Sequence, residues 1–256
     1  MGFRINNKTK VVHVEHDIND FGHTNVAKNP THTSFNCANR QIRLSSLFLR
    51  TKNKTDKGAI GDNCPLIYAL KNKRELSVTY NSFKPLVPNF YEILNKLVIQ
   101  SEHQFNFDLI IPIPSSHKLN LIIAKRIARI ANCPVDDSIF RKSTADDILS
   151  FVQRSDVDLE HPARINIVKA VNKSKKLAQA FSLSDVATAY RHYILPIQLA
   201  QSFKVYGKRV LLVDDLVSSG STLKCAATLL LDFDSKIYVE ALSLFSPLNG
   251  RLKRNK

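Results

Sequence analysis

The chain has 256 residues, 44% hydrophobic and 23% charged, a balance that sustains a folded core and excludes wholesale disorder. Thirty-seven Lys and Arg against 22 Asp and Glu leave a net charge of +15, which favours polyanionic partners such as nucleic acid or phosphate-rich substrates. No apolar run approaches the roughly 18 residues that span a bilayer, so no membrane partner is expected. The start MGFRINNKTK has neither a secretory-signal pattern nor the Ser or Thr of a myristoylation signal, so a cytoplasmic location is expected. Cys37, Cys64, Cys133 and Cys225 lie far apart with no CxxC pair, which suits reduced thiols and argues against zinc.

In chain order, residues 1–60 are polar and rich in Asn, Lys, Thr and His, and are expected to form a basic, polar N-terminal extension. Within them VVHVEH (11–16) alternates as a short strand does, while the rest, through THTSFNCANRQ, reads as loops and short elements. His13, His16, His23 and His32 fall here without helical metal-ligand spacing, so surface or structural roles suit them. PLIYALKNKRELSV (65–78) suits a helix or helix–turn. PLVPNFYEILNKLVIQSEHQ (85–104) predicts an amphipathic helix beginning near Pro88, with Phe90, Ile93, Leu94, Leu97 and Val98 on one face. FDLIIPIPSSHK (107–118) is an apolar run ended by two prolines and two serines, a buried strand followed by a loop. LNLIIAKRIARIAN (119–132) predicts a helix with Ile122, Ile123, Ile127, Ile130 and Ala131 on one face.

Residues 140–207 are basic and mixed, and SLSDVATAYRHYILPIQLAQSF within them reads as helical on both sides of Pro196. Then KRVLLVDDL predicts a strand buried on both faces, SSGS a turn, TLKCAATLLLDF a helix, and KIYVEALSLFS (236–246) a third strand. Two strand–loop–helix halves imply an α/β fold with a parallel sheet. The basic excess is clustered at Arg50, Lys52, Lys54 and Lys57, at Lys71, Lys73 and Arg74, at Lys173, Lys175 and Lys176, and at Arg251, Lys253, Arg254 and Lys256.

The chemistry concentrates in VLLVDDLVSSGSTL (210–223). Asp214 and Asp215 end a strand where open α/β sheets bind ligands, and two partly desolvated carboxylates there need a reason. A ribose diol hydrogen-bonds with them, and a magnesium ion can share them. Ser218, Ser219, Gly220, Ser221 and Thr222 then lead into a helix N-terminus, whose outward N–H groups and dipole favour phosphate. Gly220 permits the tight turn and the hydroxyls add donors. Diol-binding acids just ahead of a phosphate cradle describe a ribose 5-phosphate site. The plainer alternative, a strand running into a capped helix, accounts for one hydroxyl and leaves both acids without purpose.

This stretch resembles the phosphoribosyl-pyrophosphate (PRPP) signature of the type I phosphoribosyltransferase family. DLIIPIPSSHK resembles the family's pyrophosphate loop in the form of the competence protein F (ComF-like) branch, and Arg164-Ile165-Asn166 within LEHPARINIVKAV resembles a further stretch of that branch. The resemblance covers about residues 61–248 and is strongest at 207–223. It implies a Rossmann-like parallel sheet flanked by helices with a flexible hood region, divided as an extension (1–60), a phosphoribosyltransferase-like domain (61–250) and a basic tail (251–256). It implies that Asp214 and Asp215 hold the ribose hydroxyls, directly or through Mg²⁺, and that residues 218–222 hold the 5-phosphate. Ser115, Ser116, His117 and Lys118 would hold pyrophosphate, and basic residues between Arg141 and Lys176 would serve the hood. The implied reaction displaces pyrophosphate from C1 with an unidentified nitrogen nucleophile, through positioning and neutralisation of the leaving group. Proteins of this fold commonly dimerise, which leaves a homodimer or a larger complex as an expectation for this chain.

The sequence departs from the family in places. Ser218 stands where 6-oxopurine enzymes carry an acid, and the paired N-terminal cysteines of ComF-like proteins are missing. Residues 182–206 read as an insertion, and 1–60 resemble nothing in the family. The charge keeps a second expectation in view, a nucleic-acid-associated effector or regulator of this fold, as in bacterial antiviral defence or retron-type complexes, that senses a nucleotide or PRPP.

Overall fold

The structure, a computed structural model, describes residues 2–15, 17–52, 63–99, 105–154, 159–177, 181, 185–200 and 204–248. The basic tail (251–256), Lys54, Lys57 and His16 therefore lie outside the described residues. Two compact units divide the chain, Met1–Asp137 with Lys204–Lys256, and Ser138–Phe203. The break expected after residue 60 does not coincide with this division.

The first unit opens with strands β1 (Gly2–Ile5) and β2 (Val12–Glu15), an antiparallel pair that contains the strand expected at 11–16. β3 (Gly22–His23) follows, then β4 (Thr31–Cys37) and β5 (Arg40–Arg50). The last two form a hairpin in register from Cys37↔Arg40 to Thr31↔Ser46, where loops and short elements were expected. Its two-residue turn puts Ala38 and Asn39 both at positive φ, 47° and 59°, the twist-matched hairpin geometry. Helices α1 (Pro65–Leu70), α2 (Tyr80–Phe83) and α3 (Leu86–Val98) come next. α3 starts two residues before Pro88, which sits in the first turn where a missing N–H is harmless. Its Ile93, Leu94 and Leu97 are buried as the periodicity predicts. Strand β6 (Leu109–Pro112) is buried throughout, and residues 134–136 cover its outer edge through Ile110 N→Pro134 O and Asp136 N→Ile110 O. Helix α4 (Leu119–Ala131) ends at Asn132 in the left-handed region (φ 48°), a conformation Asn tolerates. On α4, Ile123 and Ile127 are buried, but Ile122 is exposed rather than on the core face.

The second unit holds β7 (Phe140–Lys142), α5 (Ala145–Gln153), α6 (His161–Lys176) and β8 (Ile197–Leu199). After Pro196 the chain is strand, paired antiparallel to β7, not helix. Proline cannot continue a helix as a donor, and Ile197–Leu199 gain a ladder partner instead. Ahead of it Thr188–Tyr193 is a 3-10 helix. Ile148, Val152, Ala163, Ile167, Val171, Val186 and Ile194 form this unit's own core.

Thr144 and Asp147 close a capping box at the start of α5, and Arg141 forks onto the same carboxylate. That guanidinium holds the Asp147 carboxyl well below its usual range. A lowered carboxyl contributes stability that is present at neutral pH and lost as pH falls from about 4 toward its native value. Asp147→Ala is expected to cost about 1 kcal/mol, measured as faster amide exchange along α5, and to remove that acid sensitivity.

The chain returns to the first unit with β9 (Arg209–Leu216), α7 (Ser221–Phe233) and β10 (Tyr238–Phe245). The sheet runs β3-β5-β10-β9-β6, with β4 also on β5. β5, β10, β9 and β6 are mutually parallel, so the fold is α/β with a central, mostly parallel sheet flanked by helices. Leu47, Leu211, Val213, Leu242 and Leu244 share a buried cluster with Ile93, Leu94, Leu97, Ile123 and Ile127 of α3 and α4. Each such side chain contributes about 1.5–3 kcal/mol on burial. α7 packs against β4 and β9, where Cys37 Sγ lies 3.0 Å from Thr228 Oγ1. Among the described residues no helix is long and apolar enough to cross a membrane.

Candidate functional site

The site is built at the carboxyl ends of β6 and β9. Strand ladders run Leu109↔Val210 to Pro112↔Val213, and Ile113 N donates to Val213 O at 2.8 Å, so β6 ends level with Val213 while β9 continues to Leu216. Beyond Val213 come Asp214 and Asp215, still within β9. Beyond Pro112 comes the loop with Ser115, Ser116, His117 and Lys118. These two sets of sequence-predicted residues thus emerge side by side.

Asn120, in the first turn of α4, joins them. Its Nδ2 donates to Ile113 O (2.9 Å) and to Asp214 Oδ1 (3.0 Å), and the residue is buried. Asp214 Oδ1 also accepts from Asp215 N at 2.9 Å. Burial first, and the adjacent Asp215 charge second, push the Asp214 carboxyl well above its usual range. The Lys71 ammonium and the two hydrogen bonds pull it partly back. Across the sheet Asp214 aligns with Ser243, and Ser243 with Ser46, the two hydroxyls lying 2.8 Å apart in the interior.

Asp215 has a different setting. Its side chain is buried and Oδ2 pairs with Lys71 Nζ, at the end of α1. Cys64, fully buried at the start of α1, feels Arg50, Asp215 and Lys71, and burial pushes its thiol up to about 12.

The hydroxyl-rich loop leaves β9 at Val217 and enters α7. Gly220 is the N-cap with φ 78°, so the turn uses a conformation that a side chain would strain by about 1–2 kcal/mol. Ser219 Oγ hydrogen-bonds Ser221 Oγ at 3.0 Å, and Ser221 N donates weakly to Ser219 Oγ at 3.4 Å. Ser218 and Thr222 are half-buried beside them. Gly220 supplies no side-chain cap to α7, so beyond the weakly engaged Ser221 N its first-turn N–H groups face no capping side chain, the arrangement that suits an anion. Arg50, fully buried at the end of β5, donates Nη2 to Val217 O at 2.7 Å and its backbone N to Ser246 Oγ. In the other loop His117 N donates to Ser115 Oγ at 3.4 Å, while Ser116 and Lys118 are exposed.

Sequence reasoning missed Asn120, Lys71 and Arg50. Arg50 and Lys71 fall in the basic clusters expected to favour polyanionic partners, and a polar residue in the first turn after a loop was the available signal for Asn120. The basic residues expected to serve a hood fall in the second unit, where several are engaged internally. Arg141 binds Asp147 and Gln198, Lys175 binds Asp146, and Arg164 donates to Val152 O. Asn166 Oδ1 accepts from Ala187 N, so the Arg164-Ile165-Asn166 stretch braces its own unit.

A mostly parallel sheet flanked by helices, with a carboxylate, a glycine-capped hydroxyl loop and a second small loop at the strand ends, defines an α/β protein. A model of the phosphoribosyl transferase domain matches residues 87–256, and the chain belongs to that family. Comparison with curated protein sequences gives no match.

Proposed function

We propose that the chain binds PRPP at the ends of β6 and β9 and transfers its phosphoribosyl group to a nitrogen nucleophile, releasing pyrophosphate. The observation that carries this reading is the tether through Asn120, which holds the 113–118 loop and Asp214 together beside the 218–222 loop. Asp214 accepts from the ribose hydroxyls, the N-terminus of α7 with Ser219, Ser221 and Thr222 holds the 5-phosphate, and Ser115, Ser116 and Lys118 take the pyrophosphate. The C1–O bond to pyrophosphate breaks as the C1–N bond forms, and the nucleophile's proton passes to solvent. Fixed donors favour the transition state because they need not reorganise as charge moves to the leaving group. The ComF-like form of the 107–118 run supports placing the chain near that branch.

Among the described residues no three His, Cys, Asp or Glu side chains converge into a metal cage. One carboxylate with an open oxygen, together with substrate phosphates, is nonetheless a usual Mg²⁺ set, and Asp214 supplies it. When bound with PRPP, Mg²⁺ supplies charge neutralisation of the leaving pyrophosphate.

Calorimetric titration of Mg-PRPP into the intact chain tests the reading, beside Gly220→Val. The wild type is expected to bind, and Gly220→Val, strained at φ 78°, to bind at least about 10-fold more weakly. Heat-free titration of a folded wild type would end the proposal. Pyrophosphate release on addition of candidate amines and nucleobases would then identify the acceptor.

One further observation favours a second reading, contact with nucleic acid. On α6, Lys169, Lys173 and Lys176 recur at helical spacing and are exposed. A strip of three lysines meeting phosphates gives single-strand binding that falls with salt at a log–log slope of about −2. Binding that ignores salt, or no binding at about 50 mM salt, removes this reading.

A further inference from the structure

The paired aspartates do not share one environment, and the difference is geometric. Both lie in β9, and successive strand residues face opposite sides of a sheet. Leu211 and Val213 point into the cluster that holds α3 and α4, and Asp215 continues that alternation. There it meets the Lys71 ammonium, with the Asp215 and Lys71 side chains only 4% and 15% exposed. Asp214 falls on the other alternation, level with Ser243 and Ser46. Its hydrogen bonds from Asn120 and from Asp215 N both land on Oδ1. Among the described residues nothing donates to its Oδ2.

We propose that Lys71 divides the aspartate pair into two jobs, so that Asp215 is a buried counter-ion fixing the end of β9 while Asp214 alone offers an oxygen to the ribose. Lys71 is thereby a positioning residue, acting on the ligand through Asp215 and the strand end. The inference rests on the PRPP reading for the identity of the ligand. Two like charges on adjacent residues would otherwise repel in a poorly solvated strand end, and the ammonium leaves the site with one net negative charge in place of two. It also explains why a chain would carry a lysine side chain only 15% exposed at the cap of α1. A buried ammonium is tolerated only beside such a partner.

The experiment is a double-mutant cycle on the full chain, with ligand-free melting and Mg-PRPP calorimetry on every member. Lys71→Met and Asp215→Asn are each expected to lower the melting temperature by roughly 5–15 °C, because each strands the other's charge. The double variant is expected to lose much less than the sum, and Lys71→Arg to recover most of the loss. In calorimetry, Lys71→Met is expected to weaken PRPP about 10-fold, and Lys71→Arg or the double variant to restore it to within a few-fold of wild type. Asp214→Asn is expected to weaken PRPP at least about 100-fold without lowering the melting temperature. Additive melting losses overturn the pairing. A stable Asp215→Asn that loses PRPP as deeply as Asp214→Asn overturns the division of labour. If the wild type itself fails to bind PRPP, the PRPP reading falls, and the melting cycle alone still decides whether Lys71 and Asp215 act as a unit.

Discussion

Asp214→Asn is expected to lose PRPP binding by at least about 100-fold and yet to melt at a higher temperature than the wild type at pH 8. The loss follows from the open Oδ2, since an amide accepts a ribose hydroxyl without the charge that makes such bonds strong, roughly 1.5–3 kcal/mol each. The gain follows from burial. A carboxyl raised above its ordinary range in the folded state makes the native chain bind a proton more tightly than the unfolded chain does. Ionised above that raised value, native Asp214 carries a penalty, and the penalty fades as pH falls toward the ordinary carboxylate range. Asparagine is spared it, while its amide oxygen still accepts from Asn120 and from Asp215 N. The advantage of the variant should therefore be full near pH 8 and gone near pH 4, worth about 2–4 °C for each kcal/mol. Melting curves of variant and wild type at the two pH values decide it, and an advantage no larger at pH 8 than at pH 4 would refute the account.

Arg50→Leu is expected to be the most damaging single change in the first unit, costing about 3–5 kcal/mol and most of the ligand affinity. Arg50 is 2% exposed, and its guanidinium holds the carbonyl of Val217, itself 1% exposed, where the chain leaves β9 for the 218–222 loop. Leucine leaves that carbonyl unsatisfied in the interior and frees the base of the loop. Lysine restores a charge but not the planar fork, so Arg50→Lys should recover only part. Cys64 offers a local readout, since its buried thiol should resist alkylation in the wild type and react sooner in Arg50→Leu through opening of the site, the lost Arg50 charge by itself disfavouring the thiolate. Wild-type alkylation kinetics in the leucine variant would falsify this placement of Arg50.

Much of the fold could be read from local pattern. β6, β9 and β10 are nearly continuous apolar runs bounded by Pro, Ser or Asp, and α3, α4 and α7 repeat their apolar residues at helical spacing. The β4–β5 hairpin could not. Its turn is Ala38-Asn39 without a glycine, and polar Ser45 and Ser46 interrupt β5. Those serines find partners across the sheet, Ser45 at His32 Nδ1 of β4 and Ser46 at Ser243 Oγ of β10. The 218–222 loop and Asp214 were legible because glycine, hydroxyls and acids sat in one short run. Lys71 and Arg50 were not, because a cation's burial depends on a partner far along the chain, and composition counts every cation alike.

The place of β5 in the sheet has a consequence for biosynthesis. β5 occupies residues 40–50 but pairs in parallel with β10 at residues 238–245, and Arg50 meets Ser246 and Val217 across separations of 196 and 167 residues. Such long-range pairing closes late, after most of the chain has left the ribosome. The floor beneath the 218–222 loop is therefore among the last parts to form, and a nascent chain lacks a finished candidate site until that strand is in hand.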